Sequence, residues 1–202
     1  MTADEAIASL FGDALTCASD VPVALRTLAP DSGTVERALD QSETILRSLA
    51  LIEDSPHEER DEHGPKDVTL HRIEAKLNLV LETLASILRR DRSDLPMQRI
   101  RWSRRGVEMQ HGESTPPARG FLLIQPLVWL PQRLELPVVS LAHQSLDEGG
   151  CKVWLRFQPL TPNLAQALER HLFRLHRRDL AARKPEAGRP SAPAGAGPSA
   201  TR

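Results

Sequence analysis

Two stretches of the chain concentrate the side chains that could do chemistry. The first is RWSRRG, residues 101–106, in which three arginines surround a serine and the run ends on glycine. Guanidinium groups present planar forks of N–H donors that match phosphate or carboxylate oxygens. A hydroxyl adds both a donor and an acceptor, and glycine permits close backbone approach. Such a set suits anion binding. The second stretch is LERHLFRLHRRDLAARK, residues 168–184, where Arg170, Arg174, Arg177, Arg178, Arg183 and Lys184 collect. It reads either as the solvated basic end of a helix, complementing the helix dipole, or as a patch for an acidic partner. In the second case Arg174, Arg177 and Arg178 are the candidate contacts.

Nothing comparable points to catalysis. The strings G-x-S-x-G, G-x-G-x-x-G, H-E-x-x-H and the Walker A loop are all missing from the chain. No nucleophile–base pair stands out, so the chain reads as a non-enzyme without a resident cofactor. His57 and His63 lie among acids in SPHEERDEHGPK and read as part of a solvated charge run, not a metal site. The 2 cysteines, Cys17 and Cys151, cannot build a disulfide framework or a four-thiolate site and read as small buried thiols. A net charge of −1 and a pI near 6.7 give no global pull toward nucleic acid or membrane. Three Trp, four Phe and no Tyr are few for a surface that stacks bases. MTADEAIASLFGD carries acids where a signal peptide needs bases, and no apolar run approaches ~18 residues. The expectation is a cytoplasmic protein without membrane insertion.

The elements that must position these stretches follow from periodicity. Residues 12–28 carry short apolar runs without a helical stripe and read as one strand, with Pro22 at an edge or bend. Thr34 to Asp54 turns helical through Val35, Leu39, Ile45, Leu46, Leu49 and Ile52. After a polar connector, a second helix runs from about Asp67 to Arg90, roughly 36 Å at 1.5 Å per residue. Strand texture begins near residue 96 with MQRIRW, RGVEMQ, GFLLIQPLVW, LPVVSLAHQ and CKVWLRFQ. In the last, Cys151, Val153, Leu155 and Phe157 face one way while Lys152, Trp154 and Arg156 face the other. A closing helix opens at Thr161 as N-cap with Pro162 at its first position, and lines its core side with Leu164, Leu168, Leu172 and Leu175. One early strand cannot form a sheet alone, so it must pair with strands some 70 residues later. The expected architecture is α+β, mainly β. A small antiparallel barrel spans residues 10–28 and 96–183 with its closing helix, interrupted by a helical insertion at 33–92. A Pro/Ala/Gly/Ser tail at 184–202 is read as disordered.

The second helix of the insertion keeps a seven-residue beat. Leu70, Leu77 and Leu84 occupy one heptad position, and Ile73, Val80 and Ile87 the next apolar one. With leucine at a and a β-branched residue at d, helical coiled coils shift from dimers toward trimers and tetramers. Leu79, Leu81 and Leu88 widen the stripe, which calls for more than one covering neighbour. The same stripe could instead be buried inside the chain by the first long helix and the barrel. Both coverings stand open on pattern alone.

The strand–helix–helix–barrel–helix order, the heptads and the closing-helix run FRLHRRDLA together resemble the PilZ family of cyclic di-GMP receptors. The likeness is to the atypical tetrameric branch of xanthomonads and covers about residues 10–183. It implies a PilZ-type barrel whose inserted helices form a four-stranded parallel coiled coil. It further implies a signalling receptor or adaptor working with protein partners in cyclic di-GMP-controlled motility, pilus function or virulence. Family members that bind the dinucleotide well use an RxxxR ahead of the first strand and a [DN]xSxxG turn. Here Ser103 and Gly106 keep the turn's spacing, but Arg101 stands where the Asp or Asn belongs. The first arginine in the chain is Arg26, and Arg89, Arg90 and Arg92 form no RxxxR. Without those guanidinium forks, whose charge-assisted hydrogen bonds contribute roughly 1.5–3 kcal/mol each, direct binding of cyclic di-GMP is expected to be weak or absent. The alternative from a different class is a small barrel that binds nucleic acid and is multimerised by its helices.

Overall fold

The computed structural model describes residues 1–27, 32–53, 69, 73, 75–81, 83–84, 95–127 and 132–183. Its six strands are β1 (Cys17–Thr27), β2 (Met97–Ser103), β3 (Gly106–His111), β4 (Arg119–Ile124), β5 (Leu134–Ser145) and β6 (Cys151–Phe157). They close into a barrel in the order β1-β2-β3-β6-β5-β4, with every pair antiparallel. Closure depends on β1, whose first half pairs Cys17–Pro22 with β2 and whose second half pairs Val23–Thr27 with β4. Pro22 marks the change of partner. It has no N–H to give to a ladder, so it fits where one pairing ends: Val23 N donates to Pro96 O at 3.0 Å and Gln125 N to Pro22 O at 2.9 Å. The bend expected at Pro22 is therefore the corner that lets one long strand serve both neighbours.

Inward residues alternate along the strands and meet in one core. Val21, Val23, Ile100, Trp102, Leu122, Ile124, Leu136, Val153 and Leu155 are all buried there. Helices cover the barrel: α1 (Ala3–Phe11), α2 (Ser32–Glu53) and α4 (Pro162–Arg183), together with helical residues at 69, 73, 75–81 and 83–84, designated α3. Ile45, Leu46 and Leu49 of α2 and Leu164, Leu168 and Leu172 of α4 join the barrel core. The expected cap holds, since Thr161 Oγ1 accepts from Leu164 N at 3.2 Å and donates to Glu43 of α2 at 3.1 Å. Ser42 ties α2 to β5 by accepting from Glu135 N at 2.9 Å. On α4, His171 stacks edge-on against Trp102, with ring centroids 5.8 Å apart.

Two features differ from the sequence expectation. Residues 3–11 form a helix that the strand and heptad patterns did not indicate. Trp154, expected on the outer face beside Lys152 and Arg156, is buried, because α1 lies on it. A β-bulge prepares that seat. Between Ser140 and Ala142 the β5–β6 register shifts, leaving Leu141 as the extra residue. Leu141 and Ala142 then pack with Trp154 against Ala6, Leu10 and Phe11. Both cysteines are buried as expected, and burial pushes both thiols up. Residues 54–68 and 184–202, which hold His57, His63 and the tail, lie outside the described residues.

Candidate functional site: the RWSRRG turn and the outward face of α3

RWSRRG folds as the β2–β3 hairpin. Ser103 pairs with Gly106, and Arg104 and Arg105 form the two-residue connection. The structure brings Ser103 and Gly106 together as the family spacing requires, but each is already used by the protein itself. Ser103 has no exposure. Its hydroxyl donates to Leu10 O of α1 at 2.7 Å and accepts from Arg105 N at 3.1 Å. Gly106 lies so close to β6 that an added Cβ would stand 2.0 Å from Leu155 O and 2.8 Å from the Leu10 side chain. Glycine is required there for backbone approach.

The arginines of the run also turn to neighbouring elements. Arg101 places its guanidinium 4.2 Å from the centre of the Phe11 ring, an attraction of cation to ring face. Arg105 pairs with Asp13 at 2.7 Å and donates to Ser9 O at 3.2 Å. Arg104 reaches the other way and meets Glu169 of α4 at 3.4 Å. Beside them an open groove of about 690 Å³ is lined by Arg104, Arg105, Pro162, Asn163, Gln166 and Glu169, between the hairpin turn and the first turns of α4. The run that the sequence marks for anion binding is thus also the seat of α1. Sequence reasoning missed α1 although a signal was present. Thr2-x-x-Glu5 ahead of Ala6, Ile7 and Leu10 is a capping box, and both of its reciprocal hydrogen bonds form, at 2.9 and 3.3 Å. Thr2's backbone N–H holds the Glu5 carboxyl below the ordinary carboxylate range. Asp13 and Glu169, the acids that hold the turn's arginines, carried no sequence signal, because only the fold brings them near.

The missing RxxxR stays missing in space as far as Arg26 is concerned. That residue lies within β1 and pairs with Glu135 at 3.7 Å. Among the described residues no group of three or more His, Cys, Asp or Glu is arranged to hold a metal ion. Among the same residues no helix is long and apolar enough to cross a membrane.

On α3 the heptad residues divide by face. Ala75 and Leu79 are 2% and 7% exposed, and Leu79 joins the core that contains α2 and the barrel. Gln132 reinforces this inner face by donating to Leu79 O at 3.1 Å. Ile73, Leu77, Val80, Leu81 and Leu84 are 52–58% exposed. At about 100° per residue, the centres of these two sets lie roughly 140° apart around the helix. Leu70 and Ile87 lie outside the described residues. The intramolecular covering therefore takes one flank of the helix and leaves the leucine and β-branched layers on the other. On α4, Arg177 and Arg178 are exposed and Arg174 is half-buried. Phe173 and Leu180, 52% and 54% exposed and seven residues apart, share that outer surface. Their spacing was legible but was not used.

Comparison with known proteins now bears on this geometry. Residues 46–184 match the family model described as atypical PilZ domain, cyclic di-GMP receptor. Among solved structures, a pathogenic protein from Xanthomonas campestris is 37% identical, with a TM-score of 0.66, over 88% of this chain and 95% of that one. It is described as a tetrameric PilZ domain self-assembled via a helical bundle. No curated protein matches.

Proposed function

The chain belongs to the atypical PilZ family, a receptor family and not one of enzymes, and from that premise we propose that it works as a tetrameric signalling adaptor. Four copies assemble through the outward face of α3 as a four-stranded coiled coil, so that the helical insertion at 33–92 is the assembly module and the barrel at 10–28 and 96–183 is the display module. The observation that carries this is the exposure of Ile73, Leu77, Val80 and Leu84 beside a buried Ala75 and Leu79. An apolar face of this size on a helix whose other side is already packed calls for a neighbour. The relative from Xanthomonas campestris, described as a tetramer held by a helical bundle, supports the same use of the insertion.

The adaptor acts in the cytoplasm through protein partners in cyclic di-GMP-controlled motility, pilus function or virulence. Arg174, Arg177 and Arg178 supply the patch an acidic partner would meet. Its own affinity for the dinucleotide is weak or absent. Ser103 and Gly106 remain as a degenerate motif with Arg101 in place of the acid or amide, and Ser103 is occupied by α1. Light scattering on the full-length chain should give four chains, and calorimetry with cyclic di-GMP should give little or no heat. A monomer would remove the assembly, and tight binding by the unmodified chain would remove the reading of the turn.

A further inference from the structure

Arg104 and Arg105 sit side by side on a two-residue turn, and each is held by an acid from a different element. Glu169 comes from α4, and Asp13 follows α1. Both acids are open to water, with side chains 52% and 79% exposed. Ion pairs this exposed hold little free energy and exchange readily. The groove they border is lined by the same two arginines and by Asn163 and Gln166. A phosphodiester entering it would offer charged oxygens to guanidinium forks, the geometry in which such donors bind most strongly.

The two arginines differ in what they would give up. Arg104 would lose a surface pair. Arg105 would lose Asp13 and also Ser9 O, a carbonyl in the last turn of α1 that has no helical partner of its own. Beyond these bonds, α1 is held by Ser103, by the Arg101–Phe11 contact and by a small cluster of Ala6, Leu10, Phe11 and Trp154 that is separate from the barrel core. Withdrawal of Arg105 therefore acts on the least anchored element described.

We propose that Asp13 and Glu169 are internal competitors for the arginines of a phosphodiester-binding groove, and that filling this groove releases α1 from the RWSRRG turn. The inference rests on the family reading only for the choice of cyclic di-GMP as probe. It also gives weak affinity a second cause, since the arginines present are occupied from within.

Calorimetry at low ionic strength on the full-length chain, Asp13→Asn, Glu169→Gln and the double variant tests it, with inorganic phosphate at matched ionic strength as a second probe. Affinity for cyclic di-GMP should rise about threefold for each acid removed and about tenfold for both. Adding Arg105→Ala should abolish the gain. In the double variant, saturating cyclic di-GMP should speed amide exchange across residues 3–11 relative to the same variant without it. No binding by the double variant at millimolar dinucleotide would overturn the proposal. So would a gain without any change in α1 exchange, or an equal gain for inorganic phosphate. Light scattering on the same samples reads the assembly separately: four chains throughout leaves the adaptor standing whatever the groove does, and a monomer ends the adaptor alone.

Discussion

Replacing Leu77 and Val80 together by glutamate separates assembly from folding. In the single chain these side chains are 55% and 53% exposed. Full burial of a leucine or valine contributes about 1.5–3 kcal/mol, so the half left to a neighbour contributes about 1 kcal/mol at each position. Two positions in each of four chains then stabilise the assembly by roughly 6–10 kcal/mol, or four to seven decades of association constant. Eight carboxylates brought into the same seam oppose it further. Size-exclusion chromatography with light scattering, at one chain concentration, should move from four chains to one. Amide exchange should meanwhile show strands β1–β6 still protected, because neither residue belongs to the chain's own core. Leu79→Glu gives the contrasting outcome. Leu79 is 7% exposed within the core shared with α2, so a carboxylate there should loosen the helix from the barrel. An intact tetramer in Leu77→Glu/Val80→Glu, or a barrel that unfolds along with the assembly, would refute the division of α3 into an inner and an outer flank.

Three further outcomes follow from the α1 seat. Ser103→Ala removes a buried donor from Leu10 O and an acceptor from Arg105 N. It should cost about 1–3 kcal/mol, read as faster amide exchange in residues 3–11 with little change in the β-strands. Gly106→Ala should lower the melting temperature of the whole barrel, because the added methyl meets the Leu155 backbone carbonyl, which cannot yield without breaking the β3–β6 ladder. The Glu5 carboxyl is held below its ordinary value by Thr2's backbone N–H. Its contribution is complete above the range in which an unfolded-chain glutamate titrates and is lost as pH falls through the depressed folded value. Exchange across α1 should therefore rise in acid below the ordinary glutamate range, and Glu5→Gln should flatten that dependence.

Most of the barrel was legible because each strand declares a face. Cys151, Val153, Leu155 and Phe157 could be set inward from alternation alone, and Thr161–Pro162 announced the start of α4. The face of Trp154 was not legible. Alternation says which residues leave the core, not whether another element waits outside, and the helix that covers Trp154 lies some 145 residues away in sequence. At the candidate site the types were readable and the partners were not. The spacing of Ser103 and Gly106 identified the turn, yet a hydroxyl that reads as a ligand contact is equally able to accept a helix end. Only the fold, which brings Leu10 to 2.7 Å, shows which use it has. The heptad carried its own ambiguity, and burial separated its two flanks residue by residue.

β5 explains how one small barrel can carry both an assembly helix and an N-terminal clasp. Near its start, Glu135 receives α2 through Ser42. Past the bulge, Leu141 and Ala142 receive α1. The irregularity between Ser140 and Ala142 divides the strand into two docking segments without opening the barrel, since β1 alone closes the ring by pairing with β2 and β4. The residues that hold α3 and those that hold α1 accordingly fall in separate apolar clusters. Changes at sites with no shared partners add almost independently. Combining Ser103→Ala with Leu77→Glu/Val80→Glu should therefore give the sum of the two separate effects, a single chain with a loosened α1. An interaction energy well above about 0.5 kcal/mol between the two changes would mean that assembly and the turn communicate through a path these packing clusters do not contain.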